Sequence, residues 1–571
     1  MSASVVAMPR EYRKSGEKNP DLVVSRQIQE LIRLSEEERD RQLGVTWFKD
    51  IDLFYTLTGI NSSAAPSFRP RVVMPELQML MLAEATDISE SSPKVFLLKG
   101  GKRDKQREQA YQEHWRHQQY NLQLFFAELW ALFCGTGFLQ VGVDPEGRKG
   151  KGEVWMCARD AGATFPDPGC LDSRHWVYVG FQDKMYLDEI CRLWPDTGAR
   201  LRRQAKGFAS ARIGVGDDSG PGGLSLPEGP MRYGSGSVPQ QKVLGDGRLL
   251  VTQLHINDYS TEALSESERK RIAEMLGPLT PAPDHKLKYP NGRWIVECEG
   301  VVLADGDSWV PLKLFPIIPV QAMPRMKSFW VPPPVRYTKS QQELAEKMLS
   351  GVYENAVRLN NGVWFIDERT GIVAEDFGAL PGEVRIINAG SQVPDVKWPN
   401  AMPAHFTQLP EMLMAKQRMI QGFTPARAGQ SGAGNVSQDL FDATVFQSQV
   451  LTRMRSKLMA PSVQSAAELI FYCMSRFYTQ QQSFPGFGSD FKMVPWTPVD
   501  GASYDFYLDP GSIQPMSSSY LRALVTALGD KNKLPTKYVL DVLGIPGSAE
   551  IAEEQREELE LAAMGKLRRP R

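Results

Sequence analysis

Ala131-Leu-Phe-Cys-Gly-Thr-Gly-Phe-Leu-Gln-Val141 reads as the end of a helix, a glycine turn and the start of a strand. Upstream of it, Tyr111, Trp115, Leu122, Phe126, Leu129 and Phe133 recur at helical spacing. One apolar stripe of that period predicts a single long helix over 104–134. Gly135-Thr-Gly137 ends it, because glycine accepts the left-handed conformation in which helices close. Strands are expected at 138–143, 153–158 and 175–181. Helices and strands in separate runs make an α+β chain.

The pattern extends outward in both directions. The first twenty residues look loose, and a helix is expected over 21–44 through Leu22, Ile28, Leu31, Ile32 and Leu34. A second helical run passes Leu77, Leu80 and Leu82. Residues 206–247 are rich in glycine, serine and proline and read as a flexible insertion. A strand-rich block covers 249–324, with a short helix near 265–276 and a turn at Tyr289-Pro-Asn-Gly292. Pro332-Pro-Pro334 stiffens the chain before a clear helix, with Ser340 and Glu343 as a capping box. Its expected apolar stripe is Leu344, Met348, Val352 and Leu359. A further helix is expected to start at Pro410 and stop at Gly422. The longest is expected from Ser437 to Tyr478, kinked at Pro461.

The 571 residues suggest roughly three or four domains. Lys and Arg number 66 against 67 Asp and Glu, a net charge of −1. Tight sequence-independent DNA binders are usually basic, so this balance argues against a clamp and suits a surface that DNA slides past. Six cysteines make no CxxC pair and read as reduced thiols. No secretory signal is expected at the start. The most apolar stretch, 122–143, is interrupted by Glu128, Gln140 and glycines, so no membrane span is expected.

Catalytic constellations are not apparent. There is no GxxxxGK[ST] loop; Gly101-Lys102 and Gly150-Lys151 lack the upstream glycine. Gly429-Gln-Ser431-Gly-Ala433 lacks the last glycine of a nucleophile elbow. His114 and His117 are three apart on a helix, but zinc needs three or four ligands, and a solvated face beside Trp115 is the favoured reading. Asp167, Asp172 and Asp183 suggest Mg²⁺ ligands at first sight, but Asp167-Pro-Gly169 is turn chemistry. Neither cofactor nor metal is expected, and the chain is not expected to be an enzyme.

Four passages occur in a meaningful order. The first is 131–141 leading to Phe165-Pro-Asp-Pro-Gly-Cys-Leu-Asp-Ser-Arg-His-Trp-Val-Tyr-Val179, then Tyr186-Leu-Asp-Glu-Ile190 and Trp194-Pro195. The second is Phe315-Pro-Ile-Ile-Pro319, the Phe329-Trp330 pair, and a helix carrying Gln341 and Asn355. The third is Met419-Ile-Gln-Gly-Phe-Thr-Pro425 before a glycine-rich connector and a long helix. The fourth is Ser517-Ser-Ser-Tyr-Leu-Arg522, Leu534-Pro-Thr-Lys537 and Leu543-Gly-Ile-Pro546. In this order the chain resembles the portal proteins of tailed bacteriophages over roughly residues 45–550.

The resemblance implies an α/β wing, long stem helices, a small α/β clip and a helical C-terminal crown. The divisions are then a loose N-terminus at 1–20, wing at 21–185, stem helix and insertion at 186–248, and clip at 249–330. The second stem helix is 331–362, the rest of the wing 363–500, and crown and tail 501–571. It also implies a virion protein, a homo-oligomeric ring of about twelve subunits around double-stranded DNA in transit. Further implied partners are the terminase large subunit, major capsid and scaffolding proteins, and head-completion or tail adaptors. A channel must not grip its cargo, since each phosphate contact resists sliding. Lys347 and Arg358 mixed with Glu343, Glu346 and Glu354 suggest a balanced channel wall, with Glu343, Lys347, Glu354 and Arg358 its candidates, against the plain reading of a solvated helix face. Residues 423–436 are the tunnel-loop candidate, with Arg427, Gln430 and Asn435 toward DNA, against the reading of a linker. Alternatives are a tail or baseplate component and, less favoured, a metal-dependent nucleic-acid enzyme.

Overall fold

The computed structural model describes residues 20–53 except 46, 72–89, 93–202, 248–269 except 268, 285–324 except 312 and 313, 326–360, 363–365, 395–397, 403, 405–424, 449–485, 493–498 and 504–508. Its main helices are α1 (Pro20–Leu43), α2 (Glu76–Ser89), α3 (Lys105–His117), α4 (Tyr120–Cys134), α5 (Leu187–Leu193), α6 (Lys339–Asn360), α7 (His405–Ile420) and α8 (Val450–Phe477). Its strands are β1 (Val95–Lys99), β2 (Lys102–Arg103), β3 (Thr136–Asp144), β4 (Glu153–Arg159), β5 (Thr164–Pro166), β6 (Tyr178–Tyr186), β7 (Arg248–Ile256), β8 (Thr261–Ala263), β9 (His285–Leu287), β10 (Arg293–Cys298), β11 (Val301–Asp307), β12 (Ile317–Gln321), β13 (Val363–Phe365), β14 (Asp395–Lys397), β15 (Gln482–Pro485), β16 (Met493–Trp496) and β17 (Asp505–Leu508). The chain is α+β.

The glycine turn does what its sequence demands. Gly135, at φ 87°, caps α4 by donating its N–H to the Ala131 carbonyl. The chain then enters β3, the centre of an antiparallel sheet ordered β12-β3-β4. Residues 136–142 are buried, so β3 is covered on both faces and its apolar run is nearly continuous. α4 and α8 pack on this sheet. Phe138, Val141, Leu132, Ile470 and Met474 belong to one large core that also takes in Tyr111 and Trp115 of α3.

A second antiparallel sheet is ordered β11-β10-β7-β6-β5. α1 lies across it through Ile28 and Ile32, which meet Phe165, Leu254 and Ile295. β6 pairs with β7 over nine residues, from Tyr178–Ile256 to Tyr186–Arg248. Most of β6, in the part expected as wing at 21–185, therefore shares a sheet with β7, in the part expected as clip at 249–330. β12 likewise pairs with β3, so residues 317–321 pack within the 136–159 layer.

Several local expectations need correction. The helix expected over 104–134 is two helices, broken at Gln118–Gln119, where Gln119 has φ 53°. The break changes the helical phase: Leu122 and Phe126 face outward, while Leu124, Ala127 and Ala131 are buried. It is held by the Trp115 indole donating to Asn121 and the Tyr120 hydroxyl donating to the Val154 carbonyl. The strand expected at 175–181 begins at Tyr178, because Ser173–His175 forms a 3-10 turn capped by Asp172. α7 begins at His405, with Pro410 inside it. α6 begins at Lys339, so Ser340 lies in its first turn and forms no capping box. α8 is described from Val450; the segment 437–448 lies outside the described residues.

Candidate functional site

α6 places the channel-wall candidates. Its 22 residues extend about 33 Å at 1.5 Å per residue. At about 100° per residue, Glu343, Lys347, Glu354 and Arg358 fall within about 60° of arc. They share one stripe of two acids and two bases. Lys347 is exposed, and Glu343 and Glu354 are half-buried. Arg358 is helical, with its side chain outside the described set. Arg427, Gln430 and Asn435 lie outside the described residues.

The buried face of α6 is polar. Thr338, just before the helix, and Gln342 and Glu346 within it follow at four-residue steps and are buried. Gln421 donates to Thr338 Oγ1 at 2.9 Å, and Gln417 donates to Gln342 Oε1 at 3.0 Å, joining α7 and the turn after it. Gln342 donates to Glu346 at 2.8 Å, and the Met74 N–H donates to Glu346 at 3.2 Å. The Val72 N–H donates to Ser350 at 3.0 Å. Buried Asp50 anchors the start of the helix, 2.7 Å from Arg336 and 2.9 Å from Lys339. The expected apolar stripe is only partly covered: Leu344 is 47% exposed, Met348 and Val352 are half-buried, and the Leu359 side chain lies outside the described set. Hydrogen bonds among these side chains let a polar seam occupy the interior, although the buried Gln417 Oε1 has no partner among the described residues. The apolar stripe follows the helix period and is left half-covered, open to solvent at Leu344.

Asp167 and Asp172 serve in turns, whereas Asp183 stands within β6. Asp167 accepts from the Gly169 and Val177 N–H groups, and Asp172 from the Arg174 N–H. Asp183 pairs with Arg159. No group of three or more metal-ligating side chains occurs among the described residues. His114 is buried, not solvated as expected, among the rings of Tyr120, Tyr478 and Phe484. His117 is exposed, so the two histidines do not converge. No described helix is long and apolar enough to cross a membrane.

The main polar site not anticipated lies among α2, α4 and α8. Glu84, Glu128 and Arg455 are all buried. Arg455 meets Glu84 at 3.0 Å, and Thr452 donates to the same carboxylate at 2.9 Å. Neither oxygen of Glu128 has a hydrogen-bond partner among the described residues. Burial pushes the Glu128 carboxyl up to about 7; Arg455 opposes this and Glu84 adds to it. A lone acid inside the most apolar stretch of the chain is the signal that points to it.

This arrangement makes stability depend on pH. The folded protein keeps the Glu128 proton up to about pH 7, whereas the unfolded chain releases it near the ordinary value of 4.5. Between those limits the unfolded state binds fewer protons, so stability falls as pH rises and levels off above about 7. The slope is at most about 1.4 kcal/mol per pH unit. Glu128→Gln is expected to remove this component, read as urea midpoints of both proteins at the two ends of the window. Equal pH slopes would show that Glu128 does not titrate there.

Compared with protein-family models and with curated proteins, the chain matches none.

Proposed function

We propose that this chain is the subunit of a ring that conducts double-stranded DNA, the portal of a tailed bacteriophage, with no catalytic role of its own. The observation that carries the reading is α6, whose interior face is polar and whose apolar stripe is only partly covered, with Leu344 exposed. An apolar strip on a helix surface calls for another surface to cover it. Tyr353 and Val357 are exposed on a different face of α6, and Phe406, Met412 and Met419 expose apolar surface on α7. In a ring, neighbouring copies cover the strip through Leu344, Met348 and Val352. The stripe of Glu343, Lys347, Glu354 and Arg358 then faces the hole, where a near-zero charge lets a polyanion pass without being held. The ordered sequence passages support the same reading. Terminase, capsid, scaffolding and tail-adaptor proteins are the partners such a ring requires.

Leu344→Asp tests it. Burying one leucine at an interface contributes about 2 kcal/mol, so a charge there should weaken each contact more than tenfold. Native mass measurement should give a closed assembly of the unaltered protein and free subunits of the variant, with matching circular dichroism. A wild-type protein that stays monomeric, or rings whose images have no axial opening, would remove the proposal.

A further inference from the structure

We infer that the β1–β2 hairpin is a nucleic-acid contact that holds the phosphate backbone through Lys99, Lys102 and Lys105. The chain as a whole has a net charge of −1, yet residues 94–108 hold six basic side chains against two acidic ones. Both acids are already engaged. Asp104 caps α3 and pairs with Arg107 at 2.6 Å. Glu108 pairs with Arg103 at 2.7 Å and accepts from the Leu97 N–H. Lys99, Lys102 and Lys105 are exposed, and none has an ion pair with a described residue. Asp505 adds one exposed carboxylate on the same sheet, opposite Leu98.

The shape suits a phosphate chain. Gly100 and Gly101, at φ 54° and 77°, form the tip, and nothing lies within 4 Å of where either Cβ would stand. That leaves a narrow, unobstructed end flanked by paired Lys99 and Lys102. Beside it, the Arg103 guanidinium lies 4.4 Å over the Phe96 ring. Tyr507 stands opposite Phe96 in register and is exposed. Cations beside aromatic rings serve both backbone contact and base stacking. The glycine tip carries no apolar side chain to enter a bilayer, which favours nucleic acid over a lipid surface.

The proposal does not depend on a ring. It is tested with the full chain, fluorescein-labelled duplex and single-stranded DNA, and anisotropy titrations across a range of salt. K99A/K102A/K105A should bind at least tenfold more weakly, with the salt slope reduced by about 0.9 for each lost phosphate contact. Replacing the same three lysines with arginine should restore binding, and Lys286→Ala should leave it unchanged. Preference for one DNA form would identify the form recognised. No binding by the wild type at low salt, undiminished binding by the triple alanine variant, or loss confined to phosphatidylserine vesicles would overturn it.

Discussion

Gly135→Ala is expected to yield little or no soluble, folded protein. Gly135 has φ 87°, where a side chain strains the backbone by roughly 1–2 kcal/mol. Sterics are the larger effect. A Cβ there would stand 1.7 Å from the Val331 carbonyl oxygen and 2.9 Å from its carbon. These are backbone atoms between Trp330, buried in the main core, and the prolines leading to α6. Neither side can yield without moving the α4–β3 turn or the 329–334 strap. The control is Gly351→Ala in α6, with nothing within 4 Å of a new Cβ. It should gain about 0.5–1 kcal/mol from helix propensity. Soluble yield and thermal midpoints measure both; a normal Gly135→Ala protein would mean that the strap lies elsewhere.

Arg455→Met should cost about 3–5 kcal/mol, because it removes the cation paired with the buried Glu84 carboxylate. Glu128 nearby is itself an acid and cannot replace the lost positive charge. A second substitution separates charge from packing. Glu84→Leu with Arg455→Met should recover most of the loss, since a buried pair replaced by apolar groups of similar volume is often neutral. Denaturant midpoints of the wild type and the two variants provide the measure. A double variant as unstable as Arg455→Met alone would assign the cost to lost packing.

The sequence determined the features whose cause is local. Gly135-Thr-Gly137 had to end a helix and start a strand, because the residues that adopt the turn also announce it. α1, α2, β3 and β4 were legible from apolar period, as was the outline of α6. Only the tertiary structure decided the rest. Gln119 is a neutral helix residue, and the break there depends on Trp115 and Tyr120 meeting distant partners. Period marks where apolar side chains lie on a helix but not which side the core will occupy. Gln342, Glu346, Gln417 and Gln421 drew the polar side of α6 inward through bonds between residues far apart in sequence. The same holds for Glu84 and Arg455, whose pairing across hundreds of residues no local pattern encodes. A buried charge is tolerated only when its partner arrives, and folding supplies the partner.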